Sequence, residues 1–300
     1  MKRRNFLISS ILGAPALASE VSPLQLLNYK PGKKSKSDLK ISFQDGIAPG
    51  RNLEERFDYM EEYGIEGFEP RGIEIITDFN RYQNLLKYRN IKISAVQSGY
   101  KGFILSCNQA VAHEYKSIIR EIIAAAGDLA ATGVIFAPAT MEPVRRESDT
   151  SELYKYAIDQ LYDLAGYAEM HNTSVILKPL RRKETNWINT VSGASEICRL
   201  VNRKGLRCMG DFWHMTGENI SDLDDIVSGG EYLCHFHIAS RKTRCLPGSD
   251  GPADNYINGF TGLKKIKYRG FISYDCNING NKSLIVPESV NLLLQQWQSC

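Results

Sequence analysis

No interior stretch of this sequence reaches the roughly 18 consecutive apolar residues that a membrane-spanning helix needs, so no internal span is expected. The seven cysteines are odd in number, widely scattered and without a C-x-x-C pair. That pattern argues against a disulfide framework and a zinc knuckle alike. Most of them read as small buried apolar residues, with Cys107 and Cys245 in loops. No G-x-G-x-x-G follows a candidate strand, which removes the signature of a dinucleotide fold, and no short internal repeat is present. Charge of one sign is scarce as well. Thirty-seven basic residues against 34 acidic ones leave a formal charge of +3, without the strong positive field of a nucleic-acid binder.

The N-terminus is the exception to this even composition. Lys2-Arg3-Arg4 precedes Asn5-Phe6-Leu7, the mostly apolar run Ile8 to Leu12, and Ala16-Leu17-Ala18. A basic start, a short apolar run and small residues at the end describe an export signal. The adjacent arginines resemble its twin-arginine variant. Cleavage after Ala18 removes three basic residues and brings the formal charge to zero, with 34 residues of each sign. Residues 19–37, with Pro23, Pro31, Gly32 and the run Lys33-Lys34-Ser35-Lys36-Ser37, read as a solvated linker. The expected location is therefore outside the cytoplasm, most simply the periplasm.

From residue 38 to 300 short apolar runs alternate with longer amphipathic ones. Strands are expected at Leu39–Phe43, Ile65–Glu69, Ile91–Val96, Val134–Ala137, Ser174–Lys178, Leu206–Asp211, Leu233–Ile238 and Phe271–Cys276. Helical spacing falls near 52–63, 78–89, 110–131, 151–171, 190–202, 221–228, 255–267 and 288–298. Ile118, Ile119, Ile122, Ile123, Ala126 and Leu129 show it most clearly. Eight strands each followed by a helix predict an α/β fold, a single-domain (β/α)8 TIM barrel; a doubly wound open sheet is the competing arrangement. In a barrel the site lies at the C-terminal ends of the strands. The polar residues closing the runs are Gln44 and Asp45, Glu69, Gln97, Thr140, Lys178, Asp211, His237 and Asp275. Asp211, His237 and Asp275 end three neighbouring strands, and two carboxylates with an imidazole suit Mn²⁺, Co²⁺ or Zn²⁺, or Mg²⁺ with water completing the shell. An Asp after a strand also serves as a helix cap, and a strand histidine as a core residue. His235 reads as a core residue, and Tyr100, Phe103 and Phe43 as packing or sugar-stacking aromatics.

Four strings are familiar. Lys178-Pro179-Leu180-Arg181-Arg182-Lys183-Glu184-Thr185 resembles the E-P-L-N-R-x-E-T segment of xylose isomerase-like sugar isomerases and epimerases. Gly210-Asp211-Phe212-Trp213-His214-Met215 resembles their G-D-x-x-H-M, and His235-Phe236-His237-Ile238-Ala239 with Arg244, Pro247 and Gly248 resembles H-x-H-I-A…R-x-x-P-G. Tyr268–Cys276 resembles Y-x-G-x-x-S-x-E-C. The resemblance implies metal binding by Asp211, His237 and Asp275, substrate contacts from His214 and Arg244, and proton transfer by Asp275. Trp213, between Asp211 and His214, is placed to wall the pocket. The implied reaction is proton abstraction next to a carbonyl of a sugar or sugar derivative.

Three positions depart from the family string: Lys178 for its metal-binding Glu, Arg181 for Asn, and Asp275 for Glu. At an effective dielectric of ~20, an ammonium ~4 Å from a divalent ion costs about 8 kcal/mol. A divalent metal is accordingly weakened or absent unless Lys178 is neutral or turned away. Three consequences are open: Lys178 as a base of depressed pKa, Glu184 as a substitute carboxylate, or a site that has lost its metal chemistry. The functional readings are an isomerase or epimerase, a lyase on oxidised (keto) glycosides, and a catalytically silent sugar-binding relic. An abasic-site endonuclease is disfavoured, because none of the five histidines ends strands one to five.

Overall fold

The computed structural model describes residues 38–99, 104–137 and 150–300. The expected signal and linker, together with Tyr100, Phe103 and Thr140, lie outside the described residues. Nine parallel strands form one sheet: β1 (Lys40–Gln44), β2 (Gly67–Glu69), β3 (Lys92–Ile93), β4 (Val96–Gln97), β5 (Val134–Phe136), β6 (Val175–Leu177), β7 (Leu206–Asp211), β8 (Leu233–Ile238) and β9 (Phe271–Tyr274). Their spatial order is β3-β2-β1-β9-β8-β7-β6-β5-β4. The two ends of that order belong to one piece of chain. β3 pairs with β2, β4 pairs with β5, and only Ser94 and Ala95 separate them. The apolar run read as a single third strand is therefore bent in its middle, and it brings the sheet round into a nearly closed TIM barrel. The open-sheet alternative is thereby excluded.

The bend has a packing cause. Ser94 turns inward to hydrogen-bond with Ser42 Oγ at 2.6 Å, while Ala95 joins Ile135, Ile176 and Met209 in a small apolar cluster. All are fully or almost fully buried, as expected of a barrel filled by side chains rather than left as a pore.

Ten helices surround the strands: α1 (Leu53–Glu62), α2 (Gly72–Thr77), α3 (Phe79–Lys87), α4 (Gln109–Asp128), α5 (Thr150–Met170), α6 (Val191–Val201), α7 (Phe212–Met215), α8 (Asp222–Gly229), α9 (Ile257–Lys265) and α10 (Lys282–Gln298), all counted among the described residues. Helix α4 buries Tyr115, Ile119, Ile122, Ile123 and Ala126, the three-and-four spacing visible in its sequence. Caps set several starts. Asn52 accepts from Glu55 N at 2.8 Å, and Thr190 accepts from Gly193 N at 3.0 Å. The last helix begins at Lys282, earlier than its expected start after Pro287. Asn281 accepts from Ser283 N at 3.1 Å, and Pro287 is itself buried beside Val286 and Val290. Packing and a cap thus carry the helix through a residue that usually interrupts one. The short helices α2 and α7 have too few residues for a periodic signal and were not anticipated.

Candidate active site

Side chains two apart on a strand share a face. The strand ends therefore place Gln44, Glu69, Gln97, Lys178, Asp211, His237 and Asp275 around the C-terminal mouth of the barrel. β7 and β8 set Asp211 directly opposite His237, and the next pair along puts His237 opposite Ser273, two residues before Asp275. Lys178 continues the ladder of β6 by donating its backbone N–H to Phe136 O at 2.9 Å.

Lys178 occupies the centre. Its Nζ lies 2.9 Å from Asp275 Oδ2, 3.1 Å from Asp211 Oδ2 and 3.1 Å from His237 Nδ1. Burial disfavours the ammonium, but Asp275 and Asp211 more than offset it and raise its pKa above the ordinary lysine value. Of the three open readings of Lys178, the base of depressed pKa is the one these neighbours oppose. The two carboxylates that would hold a cation hold the ammonium instead.

Asp211 does two jobs at once. Its Oδ1 accepts from Trp213 N at 3.0 Å and His214 N at 3.3 Å, capping α7, while Oδ2 faces Lys178. One carboxylate oxygen thus makes the helix cap and the other faces the cluster. Asp275 Oδ2 accepts from Lys178 Nζ, from Arg244 at 2.9 Å, and lies 3.1 Å from His237 Nδ1. Burial opposes its ionisation, yet Lys178 and His237 hold the carboxyl well below its usual value. Lys178 likewise outweighs burial at Asp211 and lowers its pKa.

Beneath this cluster lies a residue to which the sequence assigned no role. Glu69 is fully buried and accepts from Gln44 Nε2 at 2.9 Å and Gln97 Nε2 at 3.1 Å. It also bonds to His235 Nε2 at 2.8 Å and His237 Nε2 at 3.0 Å. Burial would keep the acid protonated, but the two imidazoles overcome it and hold the group well below its ordinary value. Burial lowers the His235 pKa, consistent with its expected core role. For His237, burial is outweighed by Glu69, and the pKa rises to about 10. Glu69, Asp211 and Asp275 thus face Lys178, Arg244 and His237, three negative charges against three positive.

The mouth is built by loops. The Trp213 ring carries two guanidinium groups, that of Arg181 3.7 Å from the ring centre and that of Arg244 at 4.5 Å. Arg244 sits in the left-handed region (φ 55°), held by its N–H to Ser240 O and by Asn277 N–H to its own carbonyl. Such strain costs on the order of 1 kcal/mol and collects at functional sites. Glu184 lies farther out; its Oε1 accepts from Arg181 Nε at 2.8 Å, and its side chain remains a third exposed. His214 accepts from Arg181 N at 3.2 Å, and burial lowers its pKa to about 4. Asp45, one of the residues closing the first strand, turns away to pair with Arg56.

Asp211, His237 and Asp275 have ligand atoms near enough to one another to hold a metal ion, as do Glu69, His235 and His237. The second set is already closed by hydrogen bonds to Glu69. In the first, Oδ2 of Asp275 and of Asp211 stand 3.1 and 3.6 Å from His237 Nδ1. That spacing suits an ion about 2.1 Å from each, but Lys178 Nζ lies within hydrogen-bond distance of all three, and the cluster is already neutral. The residues present do not fit a divalent ion there while Lys178 keeps its place.

The sequence pattern of the xylose isomerase-like TIM barrel family matches residues 57–296. Among curated proteins, 3-dehydro-D-guloside 4-epimerase of Escherichia coli (strain K12) is 26% identical over 246 residues, covering 80% of this chain and 93% of that protein. The apo crystal structure of 3-keto-D-glucoside 4-epimerase from E. coli superposes with a TM-score of 0.77 at 25% identity, over 87% of this chain and 100% of that one. D-allulose 3-epimerase from Methylomonas sp. in complex with D-allulose gives a TM-score of 0.73 at 18% identity, over 86% and 97% of the two chains, and shows the shared fold. With its motifs in register on the strands of a barrel, this chain belongs to the xylose isomerase-like TIM barrel family.

Proposed function

We propose that this chain moves a proton next to a carbonyl in a sugar derivative, as an epimerase or isomerase, with oxidised (keto) glycosides as the substrate class. The observation that carries this reading is the largely buried set of Lys178, Asp211, His237 and Asp275 at the barrel mouth, joined by the partly exposed Arg244, with Trp213 walling the pocket and Glu184 beside it. The E. coli relatives, named as epimerases of 3-dehydro and 3-keto glycosides, support the substrate class. His214 and Arg244 serve substrate hydroxyls. Asp275, surrounded by donors, is a weak base; Glu184 Oε2 has no hydrogen-bond partner among the described residues and is the freer carboxylate. Lys178 weakens or excludes a divalent ion. The basic, twin-arginine-like start supports export, so the acting form is the chain after Ala18, in the periplasm, and its neutral charge supports a small-molecule partner rather than nucleic acid.

The test is nuclear magnetic resonance of keto-glycosides incubated in D2O. Deuterium at the carbon next to the carbonyl, with an epimer appearing, is the expected result. Release of the aglycone instead would make the protein a lyase. No exchange with any keto-glycoside or ketose would sink the proton-transfer reading.

A further inference from the structure

Catalysis of this kind needs a positive group where negative charge forms, and the mouth of this barrel already contains one. We propose that the Lys178 ammonium is itself the cation of this active site, standing where a divalent metal ion would bind and stabilising the substrate oxygen, so that proton transfer proceeds without a metal. The inference rests on the proton-transfer reading given above.

Three observations carry it. The first is position: Nζ is 2.9, 3.1 and 3.1 Å from the three atoms that would otherwise be ligands. The second is rigidity. The Lys178 backbone is pinned to Phe136 at the end of the ladder, and its largely buried side chain is gripped by Asp275 and Asp211, so the charge is preorganised rather than mobile. The third is charge. A glutamate at position 178 with a divalent ion bound would carry a net single positive charge, and Lys178 carries the same charge alone. The surrounding carboxylates therefore meet an unchanged balance when the lysine does the ion's work.

The chemistry closes with no further reactant than water. A carboxylate takes the proton from the carbon next to the carbonyl. The C–H electron pair becomes a C=C bond, and the carbonyl π pair moves onto oxygen, where Lys178 N–H donates a hydrogen bond. The carboxylate loses its proton to water, and a proton delivered from water to the opposite face restores the carbonyl and inverts the carbon. Nothing is oxidised or reduced. Arg244, bonded to Asp275 through a single terminal nitrogen, is the neighbouring donor.

The experiment compares wild type, Lys178→Glu and Lys178→Met, each shown to be folded by circular dichroism and a thermal melt. Co²⁺ alone is titrated into the first two and followed by visible absorption, with bound metal counted by elemental analysis. Wild type should retain no cobalt, whereas Lys178→Glu should bind about one ion per chain, at least ~100-fold more tightly, as expected from reversing the central charge. One ion bound by wild type, or none by Lys178→Glu, overturns the assignment. A second arm follows deuterium exchange of methyl 3-keto-D-glucoside in EDTA. Exchange by wild type should persist and fall by at least ~100-fold in Lys178→Met. Exchange abolished by EDTA, or unchanged in Lys178→Met, also overturns it. Wild type that exchanges nothing defeats the proton-transfer reading and with it the catalytic role, while the cobalt titration still decides whether Lys178 holds the cation position.

Discussion

Glu69 shows what a single residue can hide. It has four side-chain partners, and two of them, His235 and His237, lie 166 and 168 positions along the chain. Replacing it with Gln keeps the shape but removes the charge, and turns one acceptor of the imidazole N–H groups into a donor. Leaving buried partners unmatched costs about 2–4 kcal/mol. Glu69→Gln should lower the stability measured by urea denaturation by that amount. A loss under about 0.5 kcal/mol would mean that the network is loose. Much of the candidate site is legible in the sequence alone. Lys178, Asp211, His237 and Asp275 each close an apolar run, and His214 and Arg244 follow within the same strings. Glu69 closes such a run too, but its importance comes from partners on distant strands. The sequence left the state of Lys178 open for the same reason: burial alone lowers its pKa, and the opposing carboxylates come from β7 and the end of β9.

Between elements, the decisive contacts are caps and close approaches. Helix α6 takes two of its N-terminal bonds from a neighbouring helix: Asp225 of α8 accepts from Val191 N at 3.0 Å and Ser192 N at 2.9 Å. Asp225 is fully buried. Asp225→Ala would orphan both donors and separate α6 from α8, at a cost of about 2–3 kcal/mol. Hydrogen exchange should quicken at the start of α6 before the rest of the barrel. Uniform protection in the variant would show that the cap is dispensable. Helix periodicity was readable along the chain. The break in the third strand and the passage of α10 through Pro287 were not, because an inward serine contact and a buried proline are set by neighbours.

For the whole molecule, the barrel brings its own cation to the place where several strands meet. An ion held at a hundred times its Kd would add about 2.7 kcal/mol of stability, and several degrees of Tm in a barrel of this size. Calorimetry of wild type in 1 mM EDTA and in 1 mM MnCl2 should give melting temperatures within about 1 °C of each other. A rise of about 5 °C or more with manganese would show that an ion binds despite Lys178. The alternation of strands and helices, the barrel they form and the strings that assign its family follow from the order of residues, because periodicity and strand-end polarity are local properties of a chain. It takes contacts between distant strands to point Lys178 into the cluster, to let Asp211 cap α7 while facing Lys178, and to set Glu69 against two histidines. Those outcomes depend on distances between side chains that closure of the barrel alone brings within 3 Å or so of one another.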